Sequence, residues 1–369
     1  MNRLYIDNFR TFQNFEFNPD RVCGIVGQNG SGKTTVFDVL FALKRFLGAN
    51  AELARTVFSA GSLTRWDTRS RQTIEVDCTG SAGGRFSYTL AIEHDIERAD
   101  AHIEERLRLD GRDLYRLVNG EVQLFGDAPT GVPRTTFPVD RRRSFLPILT
   151  PRHDNTRIME FMSWVRGVHL FSLNPQRVPE TATEEATELH PRGSNFAAWF
   201  RSLQVEQPDV VHELRDDLAT VIPGFRVIRL TSAGSDERLF RLDCTQGGKP
   251  YQLYLGDLSD GQRLLLMLYC IARAIAPRST LLVFDEPDNY VARDEIQPWL
   301  SLLREQCVAS GNGTLLIISH HPDIVDYLAP DQLLRFWRTE GPSRVAAVEV
   351  HLDAGLSASE ILKGSVEGG

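Results

Sequence analysis

The stretch Gly27-Gln28-Asn29-Gly30-Ser31-Gly32-Lys33-Thr34 decides the fold of this 369-residue chain. It fits the pattern G-x-x-x-x-G-K-[ST] and lies between an apolar, strand-like run and a segment with helical apolar spacing. In a loop between a strand and a helix, backbone N–H groups and the helix dipole face bound phosphates. The sequence therefore predicts an α/β fold of the P-loop nucleotide-binding type.

The loop supplies the first candidate binding residues. Lys33 would neutralise the β and γ oxygens of a nucleotide, and the Thr34 hydroxyl would bind Mg²⁺. ATP and Mg²⁺ are therefore the predicted cofactors. The candidate nucleotide-contacting residues of the loop are Gly27, Asn29, Gly30, Ser31, Gly32, Lys33, Thr34 and Thr35.

An acidic pair ends a second apolar run at Leu281–Phe284. Asp285 would hold Mg²⁺ through water, and Glu286 would position and deprotonate the attacking water. These two roles suffice because γ-phosphoryl transfer depends mainly on placement and charge stabilisation. With Lys33, Glu286 is predicted to be a catalytic residue of an ATPase.

Two histidines follow a third apolar run, in Ser319-His320-His321-Pro322. A histidine at this place can hydrogen-bond the γ-phosphate and sense its loss. His320 is the preferred catalytic candidate and His321 the alternative.

A further motif, Leu258-Ser259-Asp260-Gly261-Gln262, precedes a helical pattern. Ser259 can cap this helix while its hydroxyl, the Gly261 N–H and the helix dipole face an anion. Considered alone, the motif is better explained as an ordinary serine-capped helix. Its position shortly before the acidic pair favours a second nucleotide contact.

These four motifs, which follow one another along the chain as phosphate loop, Ser259 motif, acidic pair and histidines, resemble those of the ABC-type ATPase heads of the SMC, RecF and OLD group. The opening Ile6-Asp7-Asn8-Phe9-Arg10-Thr11-Phe12 is similar to the start of the same heads. The resemblance implies a homodimer in which ATP lies between the P-loop of one subunit and the motif Leu258 to Gln262 of the other, which is called the signature motif in this family. It implies that Ser259 and Gly261 act across that dimer, with Arg10 near the nucleotide; Gln262 is a further nucleotide-binding candidate.

The chain departs from the family pattern at two places. Many members have an aspartate where Ala292 stands, and Asp288 or Asn289 are the candidate substitutes. The glutamine that senses Mg²⁺ is not obvious from the sequence. Gln176 is the candidate for it, and an ordinary loop glutamine is the alternative.

The patterning divides the chain into three lobes. The first ATPase lobe covers 1–153 and includes an antiparallel β sub-domain at about 72–125. A helical insertion lobe follows at 154–222, and the second ATPase lobe covers 223–369. Residues 126–153, rich in Pro, Arg and Asp, are predicted to form a loop.

The composition is that of an ordinary globular protein, with 24% charged and 42% hydrophobic residues. A net charge of −8 excludes DNA binding through the global field, so any DNA contact needs a local basic cluster. A solvated basic loop explains the arginines of that cluster equally well. The candidate DNA-contacting residues are Arg134, Arg141, Arg142, Arg143 and Arg152.

No apolar stretch is long enough for a membrane span, and no membrane partner is expected. The five cysteines are scattered without a CxxC pair, which favours buried reduced thiols and a cytoplasmic location.

The favoured function is an ATP-gated homodimer that engages DNA or controls a separately encoded effector, expected to be a nuclease. By analogy with the family, it would serve genome maintenance or antiphage defence. Lys33 and Ser259 lie 226 positions apart (259 − 33), which disfavours an energising ATPase subunit of a transporter. Only 49 residues follow His320 (369 − 320), so no nuclease domain is expected in this chain. A low-turnover, ATP-dependent scaffold is the other alternative.

Overall fold

A computed structural model describes residues 1–48, 53–127, 131–309, 313–329, 331–348 and 357–359. The strands are β1 Arg3–Asp7, β2 Phe15–Phe17, β3 Val22–Gly27, β4 Arg71–Thr79, β5 Arg85–Asp95, β6 Asp100–Leu109, β7 Arg112–Val118, β8 Glu121–Leu124, β9 Thr135–Pro138, β10 Val168–Phe171, β11 Thr181–Ala182, β12 Phe225–Ser232, β13 Arg238–Gln246, β14 Lys249–Tyr254, β15 Leu281–Asp285, β16 Thr314–Ile318, β17 Gln332–Trp337 and β18 Arg344–Ala347. The helices are α1 Lys33–Phe46, α2 Ala54–Val57, α3 Thr156–Arg166, α4 Phe196–Glu206, α5 Pro208–Val221, α6 Asp260–Ala274, α7 Arg293–Ala309 and α8 Pro322–Leu328.

The chain forms two compact units. Unit 1 comprises Met1–Val168 and Leu328–Ala354, and unit 2 comprises His169–Tyr327 and Gly355–Gly369. Within unit 1, β3 pairs in parallel with β17, and β18 pairs antiparallel with β17. The three lobes predicted from the sequence remain a prediction about how the chain is organised.

An eight-stranded antiparallel sheet makes up much of unit 1, in the order β2-β1-β4-β5-β6-β7-β8-β9. Its strands alternate between buried and more exposed residues: in β6, Ala101, Ile103 and Leu107 are buried between polar neighbours. This alternation places one face of each strand in the core and the other toward solvent.

The predicted antiparallel sub-domain is confirmed, but its boundaries at about 72–125 are too narrow. The N-terminal strands β1 and β2 join the same sheet, because β1 pairs antiparallel with β4. The prediction of a loop over 126–153 is wrong in part, since β9 pairs with β8 and a short 3-10 turn covers Leu146–Ile148. Backbone pairing with β8 outweighs the Pro- and Arg-rich composition of that segment.

A buried position of β6 carries an acid. Glu105 of β6 is only 2% exposed, and it accepts hydrogen bonds from the Tyr88 hydroxyl at 2.6 Å and the Tyr115 hydroxyl at 2.9 Å. Burial raises the pKa of the Glu105 carboxyl, although its hydroxyl donors, Ser144 among them, act in the opposite direction. The group therefore holds its proton more firmly in the folded chain than in the unfolded one.

The stability of Glu105→Gln relative to the wild type should increase as the pH rises. Because the folded pKa of Glu105 is raised, its contribution to stability is fully present below the unfolded pKa, about 4.3. That contribution is lost between this value and the folded pKa, at about 1.4 kcal/mol per pH unit. Urea unfolding at successive pH values measures the difference between variant and wild type. Glu121→Gln, at an exposed position of β8, is the control, and a difference that does not change with pH would contradict the assignment.

Unit 2 is built around the parallel pair β15 and β16, in which every residue is buried. Continuous apolar runs of this kind are typical of strands covered on both faces. The Trp299 indole of α7 packs edge-on against Phe284 of β15 and donates to the Leu268 carbonyl of α6 at 2.9 Å. A smaller antiparallel sheet joins β11, β12, β13 and β14. The Trp299 contact with Phe284 lies directly before Asp285 and so stabilises the end of β15, which carries the acidic pair.

All five cysteines are buried thiols, as the sequence predicts. Burial raises the pKa of the Cys78 and Cys307 thiols to about 12. Within the described residues, no helix has both the length and the apolar character that a membrane crossing requires.

Candidate nucleotide-binding site

The phosphate loop of unit 1 takes a shape that only glycine allows at two positions. Gly27 ends β3 with a φ of +151°, and a Cβ there would lie 2.2 Å from the Phe336 carbonyl oxygen. Gly32 caps α1 with a φ of +103°, and a Cβ there would lie 2.8 Å from the Phe12 ring and 2.9 Å from the Ser343 hydroxyl. Side chains at either place would force the loop open.

The polar groups of the loop fit a phosphate. Lys33 is 6% exposed, and its ammonium donates to the carbonyls of Gly27 at 2.7 Å and Gln28 at 3.0 Å. The Ser31 hydroxyl is buried without a hydrogen-bond partner inside the described chain. A buried unpaired hydroxyl, a buried cation and the first N–H groups of α1 together form a site for an anion. Thr34, the candidate Mg²⁺ ligand, is exposed beside them.

Arg10 lies against the helix that follows the loop. Its backbone φ is +51°, its N–H donates to the Ser62 carbonyl at 2.7 Å, and its guanidinium pairs with Asp38 of α1. Asp38 stands five positions after Lys33. The predicted contact of Arg10 with a nucleotide stays a prediction.

In unit 2, the acidic pair lies at the carboxyl end of β15, as the sequence predicts. Asp285 is buried and pairs in register with Ile318 of β16. The Glu286 backbone turns sharply, with a φ of +51°, and its N–H donates to the Ile318 carbonyl at 2.8 Å. Parallel strands present their carboxyl ends at the edge where α/β proteins bind ligands.

The structure distinguishes the two histidines. The Nδ1 atom of His320 lies 3.3 Å from Oε1 of Glu286. His321 instead turns toward Asp323, whose N–H donates to its Nδ1 at 3.4 Å. The preferred candidate, His320, is thus the one that meets the candidate base.

The sequence offers two residues of this site only as candidate substitutes for the aspartate of the family pattern, Asp288 and Asn289. The Asn289 amide donates to Oε2 of Glu286 at 3.0 Å. Asp288 is 8% exposed and accepts from the Ser319 hydroxyl, which in turn accepts from the His321 N–H at 3.0 Å. Burial raises the pKa of the Asp288 carboxyl. Their place directly after Glu286 was the only available signal.

The signature motif begins α6 with a reciprocal cap. The Ser259 hydroxyl accepts from the Gln262 N–H at 3.2 Å, and the Gln262 side chain accepts from the Ser259 N–H at 3.1 Å. A Cβ at Gly261 would lie 2.5 Å from the Tyr290 carbonyl oxygen. The capping role is therefore present, and Gly261 permits a close approach of the segment that follows Glu286.

Gln176 contacts the same helix. Its side-chain amide donates to Oδ2 of Asp260, the first residue of α6, at 3.0 Å. Its candidate role as a Mg²⁺ ligand stays a prediction.

Comparisons with known proteins show the fold of the chain. An AAA domain model matches residues 3–106. A solved SMC head, bound to the C-winged helix domain of ScpA, has a TM-score of 0.51 at 14% identity, covering 96% of this chain and 99% of that chain. The chain has the fold of an SMC-type ATPase head. The predicted α/β fold of the ABC head type is confirmed.

The matches to curated proteins cover a smaller part of the chain than the match to the SMC head. The ATP-binding protein Uup of Caulobacter vibrioides is 40% identical over 72 residues, 20% of this chain. A prion formation protein of Saccharomyces cerevisiae is 32% identical over 125 residues, 31% of this chain. The chain spans 10% and 9% of the length of these two relatives.

Proposed function

We propose that this SMC-type head binds ATP with Mg²⁺ and hydrolyses it to ADP and phosphate. The phosphate loop is the observation that carries the proposal: a buried Lys33 ammonium borders the start of α1, together with a buried Ser31 hydroxyl that has no hydrogen-bond partner among the described residues. Such a set of donors suits the oxygens of a triphosphate. The AAA domain match over the same residues supports it.

The candidate residues divide the chemistry among them. Lys33 would neutralise the β and γ oxygens, and Thr34 and Asp285 would hold Mg²⁺. When bound, Mg²⁺ supplies charge neutralisation at the transferring phosphoryl group. Glu286 would accept the proton of the attacking water, and His320, whose Nδ1 lies 3.3 Å from Oε1 of Glu286, would donate toward the γ-phosphate.

We further propose that ATP joins two copies of the chain. Ser259 is exposed at the start of α6, where the helix dipole favours an anion. The phosphates bound by one copy would meet Ser259, Gly261 and Gln262 of the second copy. ATP binding would then assemble the dimer, and hydrolysis would release it.

Ser259→Asp should prevent this assembly without unfolding α6. Aspartate caps a helix as well as serine does, but its carboxylate repels a phosphate. Light scattering with ATP and Mg²⁺ should find dimers of the wild type and monomers of the variant. Ser259→Asn keeps the cap without the charge and is the matched control.

Mixing two defective chains tests whether the site is shared. Lys33→Ala keeps its signature and Ser259→Asp keeps its phosphate loop, so a mixed dimer contains one complete site. Phosphate release should be absent with either variant alone and should return on mixing. If the mixture stays inactive while wild-type ATP turnover is normal, the shared site is contradicted.

We propose that the ATP-bound dimer gates DNA engagement or a separately encoded effector. The similar SMC head is bound to a domain of another protein, ScpA, which supports a protein partner. The DNA-contacting candidates Arg134, Arg141, Arg143 and Arg152 are all exposed, whereas Arg142 forms a paired contact with Asp140. This contact lowers the pKa of the Asp140 carboxyl. Repeating the dimer assay with duplex DNA at two salt concentrations separates the two kinds of partner, because phosphate contacts weaken with salt.

A further inference from the structure

The Glu286 carboxylate is held from both sides. Asn289 donates its side-chain N–H to Oε2 at 3.0 Å, and Nδ1 of His320 lies 3.3 Å from Oε1. The Glu286 side chain is one-third exposed, so packing alone does not select its rotamer. Its direction therefore depends on these two polar contacts.

The two contacts differ in chemistry. Asn289 is a neutral donor that cannot take up a proton, so it directs the carboxylate without competing for the proton of water. His320 lies farther from the carboxylate, at 3.3 Å, and 57% of its side chain is exposed. Asn289 is thus the closer of the two contacts.

Asn289 itself is held in place by its neighbours. Asp288 is buried next to it, and both of its oxygens lie within 3.2 Å of the Ser319 hydroxyl. Ser319 also accepts from the His321 N–H, which connects the turn after Glu286 to the loop that carries His320. Tyr290, the next residue, has a φ of +80°, an unusual conformation for a bulky side chain. Strained turns persist where surrounding contacts hold them.

We propose that Asn289 is a positioning residue for ATP hydrolysis, holding Oε2 of Glu286 so that Oε1 faces the attacking water. This inference rests on the proposed ATPase function, and it assigns Asn289 to the base of the same subunit. The contact is neutral and local, so it sets the rate of the chemical step and not the affinity for nucleotide.

Asn289→Ala should lower kcat for ATP about tenfold, the size expected for one hydrogen bond to a charged group. KM and the Kd for a fluorescent ATP analogue should stay at wild-type values, because the phosphate loop is unchanged. Asn289→Asp has the same shape but places a second carboxylate beside Glu286. A carboxylate at this position repels Glu286 where the amide donated to it, so Asn289→Asp should lose kcat at least as much as Asn289→Ala, with KM unchanged. A purely structural role would leave kcat of this isosteric variant at the wild-type value.

A double mutant separates positioning from a general loss of folding. In the Glu286→Gln background, Asn289→Ala should change the residual turnover little, because the group it orients is no longer a base. Gln252→Ala, at an exposed position of β14, is the control and should match the wild type. Bound analogue and an unchanged melting temperature confirm that each variant is folded.

The outcomes distinguish the two proposals. If the wild type hydrolyses ATP, Glu286→Gln is inactive and Asn289→Ala keeps wild-type kcat, the positioning role is wrong and the ATPase function stands. If the effects of Asn289→Ala and Glu286→Gln simply multiply, the role is also wrong. If the wild type shows no ATP turnover at all, the proposed function itself fails.

Discussion

Lys33→Ala should abolish nucleotide binding. The Lys33 ammonium is buried and lies within hydrogen-bond distance of the Gly27 and Gln28 carbonyls, so its charge is placed inside the curve of the loop. Removing one partner of a buried, charge-assisted contact costs about 2–5 kcal/mol. The Kd for ATP should therefore rise by a factor of about 30 to several thousand, which titration with a fluorescent ATP analogue measures.

Two further variants keep the result interpretable. Lys33→Met retains an apolar stem and removes only the charge, so it should lose binding as Lys33→Ala does. Arg45→Ala removes an exposed cation near the other end of α1 and should bind ATP normally. Wild-type affinity in folded Lys33→Met would show that the loop does not hold the phosphates.

The phosphate loop could be predicted because its requirements are local. Gly27 and Gly32 need positive φ values within one short turn, and the strand before them and the helix after them are continuous in sequence. The end of β15 could be predicted for the same reason, since an apolar run of this length ends directly at Asp285. Local signals of this kind do not depend on distant residues.

The extent of the antiparallel sheet could not be predicted in this way. β1 joins the sheet by pairing with β4, and the β4 residues that pair with β1 lie about 70 positions later in the sequence; Ile6, for example, pairs with Ile74. Glu105 occupies a buried position in the alternating pattern of β6, but the Tyr88 and Tyr115 hydroxyls that donate to it come from other strands. Non-local pairing decides both features.

The hydrogen bond from Asn289 to Glu286 also could not be predicted from the sequence. Asn289 reaches Oε2 only because the backbone turns at Glu286 and again at Tyr290, where non-glycine residues have positive φ values. Residue types at this spacing predict neither turn. The sequence suggests Asp288 or Asn289 as a substitute for the family's aspartate at the place of Ala292. That suggestion is separate from the hydrogen bond between Asn289 and Glu286, which the structure shows within one subunit.

Glu286→Gln should stop ATP turnover while leaving ATP bound. Glutamine keeps the shape of the side chain and an oxygen that can accept from Asn289, but it cannot take a proton from water. General base catalysis contributes about 10²–10⁴-fold, so kcat for phosphate release should fall by that factor with the Kd for ATP unchanged. Because hydrolysis is what would release the proposed dimer, light scattering with ATP and Mg²⁺ should find the variant trapped as a dimer.

Glu305→Gln, at an exposed position of α7, is the matched control and should turn over ATP at the wild-type rate. Monomers of Glu286→Gln in the presence of ATP and Mg²⁺ would contradict the nucleotide-joined dimer, even if hydrolysis is lost. A third result separates a working cycle from a scaffold. If Glu286→Gln supports the biological activity of the protein without turnover, ATP binding alone is the working step, because only the chemical step depends on the proton that Glu286 accepts.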